Sequence, residues 1–161
     1  MTRPNEEATK FVREAFASLW PVHLSGFIRL LIQLREAFDD DIDLMIVLAA
    51  IGERTRPESW QPEPITYRQI TRRKGEEYLQ MPINMQSVSD FTGIPRETVR
   101  RKIQFLEKKG WVKRDADGRL TISGTAAVEL EKSTIHSIEY LAAISNAVLE
   151  VNRREASISS I

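Results

Sequence analysis

The sequence predicts a mainly α-helical fold that carries one small β-wing, and three observations predict it. Apolar residues recur at helical spacing through both ends of the chain. Between them, residues 84–123 order a short helix, a glycine turn, a basic helix and two short β-like runs around a turn-rich tetrad. The connection before that stretch holds Pro57, Pro62, Pro64 and Pro82, so one continuous helix cannot run through it.

The elements follow in chain order. From Glu6 to Phe38, Phe11, Phe16, Leu19, Trp20, Leu24, Phe27, Ile28, Leu31 and Leu34 keep helical spacing, and Pro21 is expected to break or bend the stretch into two helices. Asp39, Asp40 and Asp41 then mark a turn whose charge suits the start of the next helix, a solvated helix start rather than a calcium loop. That helix runs to about Arg54. Its Leu44, Ile46, Val47, Leu48, Ala50 and Ile51 make it apolar almost all round, as a central packing helix requires.

In the central stretch, Asn84 is the expected N-cap of a helix whose Met85, Val88 and Phe91 share a face. Gly93 closes it in the left-handed conformation, and Pro95 opens the next helix where a missing N–H costs nothing. There Val99, Ile103 and Leu106 fall within roughly 60° of one another at about 100° per residue, which makes one buried stripe. Glu97, Arg101, Gln104 and Lys108 point away from it, flanked by Arg96 and Arg100 on one side and Thr98 and Lys102 on the other. The helix ends at Gly110. Trp111–Arg114 and Arg119–Ile122 then form a hairpin around Asp115, Ala116, Asp117 and Gly118, with Lys113, Arg114 and Arg119 on or near its tip. That order is a winged helix-turn-helix.

Beyond the wing, Ser123 is the expected N-cap of one long helix from Thr125 to about Arg154. Val128, Ile135, Ile138, Leu141, Ala142, Val148 and Leu149 give it a broken apolar stripe that a small winged domain alone cannot cover. Residues 155–161 are expected to fray. The expected organisation is therefore 1–41 as N-terminal packing and dimerisation helices, 42–123 as the DNA-binding domain with an insertion at 55–82, and 124–161 as a dimerisation helix with its tail.

Charge gives the second line of argument. The chain has 161 residues, 23 cations and 23 anions, for a net charge of zero. The distribution is uneven: residues 65–119 hold thirteen cations against seven anions, and the flanks are correspondingly acidic. A basic centre between acidic ends attracts phosphate on one face and repels it elsewhere. The helix of residues 95–109 is suited to the major groove, with Arg96, Glu97, Thr98, Arg100, Arg101, Gln104 and Lys108 as its contact residues. Lys113, Arg114 and Arg119 would reach backbone or minor groove. Arg68, Arg72 and Arg73, on a segment from Tyr67 to Leu79 with helical spacing, are candidates for extra phosphate contacts or for a solvated basic segment.

Thr92-Gly93-Ile94-Pro95, Thr98-Val99-Arg100-Arg101 and Leu106-Glu107-Lys108-Lys109-Gly110-Trp111-Val112 together resemble the helix-turn-helix and wing entry of MarR-like and GntR-like bacterial regulators in type and spacing. The resemblance covers about a quarter of the chain. It implies a homodimer that binds near-palindromic double-stranded DNA as a transcriptional regulator. The chain departs from MarR-like proteins in its long 55–82 insertion and in Phe105, where a polar residue is usual.

Other classes find little support. No nucleophile elbow, phosphate loop, metal pair or dinucleotide fingerprint is present, so an enzyme is not expected, nor a cofactor. There is no cysteine, and His23 and His136 lack metal-ligand spacing. No apolar run is long enough to cross a bilayer and no signal-peptide pattern opens the chain, so a cytoplasmic protein is expected. A small-molecule effector of unidentified chemistry has Phe16, Trp20, Phe27 and Tyr140 as candidate lining, although core packing is the preferred reading for these rings. The alternative function is a winged-helix module that binds another protein and no DNA.

Overall fold

The computed structural model describes residues 3–55 and 81–158. It is mainly helical, with one two-stranded antiparallel sheet. The order is α1 (Arg3–Glu14), α2 (Phe16–Ala37), α3 (Ile42–Thr55), α4 (Met85–Thr92), α5 (Arg96–Lys108), β1 (Val112–Arg114), β2 (Leu120–Ile122), α6 (Gly124–Glu129) and α7 (Glu131–Ile158). The expectations for Arg68, Arg72, Arg73 and the segment from Tyr67 to Leu79 fall outside the described residues. The chain divides into two compact units, residues 1–34 with 132–161, and residues 35–131.

In the second unit, α3 is the packing centre. Its Leu44, Val47, Leu48, Ala50 and Ile51 are buried with Val88 of α4, Val99, Ile103 and Leu106 of α5, and Trp111, Val112 and Leu120 around the hairpin. Ile42 and Ile46 remain exposed, so α3 buries one side and not its whole circumference. Phe38, just past α2, meets Trp111 edge to face with ring centroids 5.7 Å apart.

Local chemistry fixes the ends of these elements. Asn84 Oδ1 accepts the Ser87 N–H at 2.9 Å, which satisfies one of the donors left open at the start of α4. Gly93, at φ 70°, closes that helix with a backbone bond to Ser89. Pro95 then serves as the N-cap of α5. Phe91 departs from expectation: it is 52% exposed, and the Arg54 guanidinium lies 5.0 Å from its ring centre. A short helix buries only the part of its face that meets α3 and α5, and here that part centres on Val88.

The hairpin pairs Val112 with Ile122, Lys113 with Thr121 and Arg114 with Leu120. Asp115 holds its turn by accepting the N–H groups of Asp117 and Arg119. Ile83 adds a bridge the sequence does not advertise. It exchanges both backbone hydrogen bonds with Leu120, and this ties the start of α4 to β2.

Ser123 caps α6 by accepting the Ala126 N–H, and its own hydroxyl donates to the Gly110 carbonyl. The expected single long helix is in fact two, interrupted at Leu130. Ala126 is buried in the core of the second unit and Leu130 packs against it, while Glu129 accepts the Trp111 indole N–H at 2.7 Å. Packing therefore claims α6 and overrides continuous helix propensity. α7 continues to Ile158, and the rest of the tail expected to fray, residues 159–161, falls outside the described residues.

In the first unit, α1 and α2 are bent by 94° at a break on Ala15, not at Pro21. Ala15 and Leu19 are buried there. Pro21 lies early in α2, where a missing N–H leaves only one carbonyl near the helix start without its helical partner, so the helix continues through it. Phe16, Trp20, His23 and Phe27 form a ladder of neighbouring rings along α2. Tyr140 of α7 closes on that ladder, its hydroxyl 2.7 Å from His23 Nδ1. Gly26 makes the approach possible: a Cβ there would lie 2.8 Å from Tyr140 Cδ2. Among the described residues, no single helix is long and apolar enough to cross a membrane.

Candidate nucleic-acid interface

The site is built on α5. Val99, Ile103 and Leu106 are fully buried, which fixes the rotation of the helix about its own axis. Glu97, Arg101 and Lys108 then lie within about 30° of the direction opposite that stripe, and Gln104, Arg100 and Arg96 follow on one side. All six side chains are exposed, and Thr98 is half-buried.

The basic residues of this surface divide into two groups. The side chains of Arg96, Gln104, Lys108 and Arg119 have no hydrogen-bond or ion-pair partner among the described residues. The others are already engaged. Arg100 grips Glu97 through two hydrogen bonds, Nε to Oε2 at 2.9 Å and Nη2 to Oε1 at 2.6 Å. That contact holds the Glu97 carboxyl below its ordinary pKa and raises the guanidinium's, so the pair stays ionised. Arg101 is only loosely held, with Nη2 3.5 Å from the Thr98 hydroxyl. Arg114 folds back from β1 onto Glu107 of α5 at 2.9 and 3.2 Å, and this bond raises its pKa. It clamps the hairpin to the helix and does not extend from the hairpin tip. Lys113 is exposed on β1.

The aspartate turn does more than start α3. Asp39 and Asp40 sit at φ 53° and 64°, a left-handed backbone that aspartate tolerates better than most residues. Asp40 pairs with Arg35 at 2.6 Å. Asp41 caps α3 by accepting the Leu44 N–H, and its second oxygen takes Lys102 of α5 at 2.5 Å. Burial pushes the Asp41 carboxyl up, but the Lys102 hydrogen bond and charge, with the Leu44 N–H, outweigh it and leave the pKa lowered. Asp39 reaches Lys109 at 3.6 Å, and that ammonium also lies over the rings of Trp111 at 4.5 Å and Phe105 at 5.4 Å. Lys102 and Lys109 are thus turned to the aspartates, away from the outward arc.

Sequence spacing places the outward residues of α5 but not these partners, which lie about sixty residues away in the chain. Among the described residues, no group of three His, Asp or Glu side chains is arranged to hold a metal ion. His136 faces Glu139, one turn along α7. No protein-family profile, curated protein or solved structure matches the chain.

Proposed function

We propose that residues 35–131 form a winged helix-turn-helix and that the protein is a sequence-specific, double-stranded-DNA-binding transcriptional regulator acting as a homodimer. The observation that carries the reading is the division of α5 into two faces. Its stripe is locked into the α3–α4–hairpin core, and its opposite arc presents Arg101, Gln104 and Lys108 to solvent beside the Glu97–Arg100 pair, with Arg96 exposed at the flank. Such a helix offers cations to phosphates and planar hydrogen-bonding groups to base edges in the major groove. The hairpin beside it brings Lys113 and Arg119 to a flanking strand or minor groove.

Dimerisation is supported by α2. Between Phe16 and Leu34 its only charge is Arg29, yet Phe16, Trp20, Leu24, Ile28 and Ile32 are each at least 44% exposed. A helix this apolar needs cover on more than one side, and a second copy of the chain supplies it.

Selection of bound fragments from sheared genomic DNA tests the reading as a whole. The expected result is an enriched inverted repeat whose half-sites are about one helical turn apart, or a multiple of it. Recovery of random fragments, or of none, would leave the protein-binding alternative in its place.

A further inference from the structure

Glu97 occupies an unexpected place for an acid. It lies in the first turn of α5, about opposite the buried stripe, where the helix should meet the phosphate-lined groove most directly. The other acid of α5, Glu107, is turned to the hairpin by Arg114. A carboxylate carried into the major groove is repelled by the DNA unless a base amino group meets it. The helix N-terminus and the Arg100 contact explain why Glu97 is stable in the free protein. They do not remove that penalty on binding.

Its partner suggests which base. Arg100 uses Nε and Nη2 to hold the carboxylate, and its side chain is exposed, so the N–H groups not spent on Glu97 can serve a second acceptor. The fork therefore offers an anionic acceptor and a cationic donor side by side. A C·G pair presents the matching set in the major groove, the cytosine N4 amino donor beside the guanine O6 and N7 acceptors. In an A·T pair the adenine amino group lies between two acceptors, N7 and the thymine O4, and both oppose a carboxylate. We propose that the Glu97–Arg100 fork is a preassembled reader of one C·G base pair, Glu97 accepting from cytosine N4 and Arg100 donating to guanine. Sites without that pair leave a carboxylate unmatched in the groove, so discrimination comes partly from repulsion. The inference rests on the DNA-binding reading and adds to it the base chemistry of one position.

The test uses the full chain and fluorescently labelled duplexes taken from sites the wild-type protein selects. At one C·G position per half-site, replacement by T·A or G·C should weaken wild-type binding roughly ten- to a hundredfold, as read by anisotropy. Glu97→Ala should erase the preference at that position and, with an anion gone from the groove, tighten binding to random duplex. Arg100→Lys keeps the charge but not the fork, and it should flatten the same position. Glu97→Ala protein that keeps the wild-type preference at every position overturns the proposal while DNA binding stands. Wild-type protein that binds no duplex overturns both.

Discussion

At the scale of single residues, the free protein already commits several of its cations. Arg100 is held by Glu97, Lys102 by Asp41 and Arg114 by Glu107, all within the unit that carries α5. The Asp41–Lys102 pair is partly shielded, with side chains 34% and 23% exposed, and it joins the start of α3 to α5. Because the Asp41 pKa is lowered on folding, its contribution is fully present above the ordinary aspartate value of 3.8 and is lost as pH falls through the folded value. Asp41→Asn retains an oxygen to cap α3 and loses the charge. Urea unfolding should show it less stable by roughly 0.5 to 1 kcal/mol at neutral pH, with the difference closing in acid. Gly26 gives a sharper sign. On an exposed helix Gly→Ala stabilises, but here the new methyl meets the Tyr140 ring, which its bond to His23 restrains from swinging away. Gly26→Ala should therefore lower stability by about 1 to 3 kcal/mol in thermal or urea unfolding.

At the scale of elements, the helix ends that depend on neighbours in sequence were legible, and those that depend on packing were not. Asn84, Gly93 and Ser123 announce their caps because each acts within a few residues of itself. The stripe of Val99, Ile103 and Leu106 is equally local, since one period fixes which side is buried. The break at Leu130 and the Ile83–Leu120 bridge answer to the core, and the interruption at Ala15 likewise has no local breaker, so none was visible in a one-dimensional pattern. Among the candidate site residues, spacing found the outward arc of α5 but could not show that Arg114 is turned inward onto Glu107. That clamp makes its own prediction. Glu107→Gln removes an anion and weakens the hold on Arg114, so binding to random duplex should tighten at low salt. Unchanged anisotropy curves would mean that the hairpin arginine stays away from phosphate.

At the scale of the whole molecule, a zero net charge conceals a basic centre, and the stretch of α2 from Phe16 to Leu34 carries Arg29 as its only charge. In the proposed function the first feature serves DNA and the second a second copy of the chain. Leu24→Glu with Ile28→Glu places charge on the exposed side of α2 and should convert a dimer to a monomer in sedimentation equilibrium. A wild-type chain that is already monomeric would remove the homodimer.

The most direct measurement is the affinity for duplex DNA as a function of salt, for wild-type protein and for the Arg96→Ala, Arg101→Ala and Lys108→Ala triple variant. For a protein that neutralises phosphates with this helix, log K should fall linearly with log salt by roughly 0.9 per phosphate neutralised, and the slope should shrink by about 1 for each of these residues that contacts phosphate. Absence of duplex binding at low salt, or a triple variant with the wild-type affinity and slope, contradicts the DNA-binding reading.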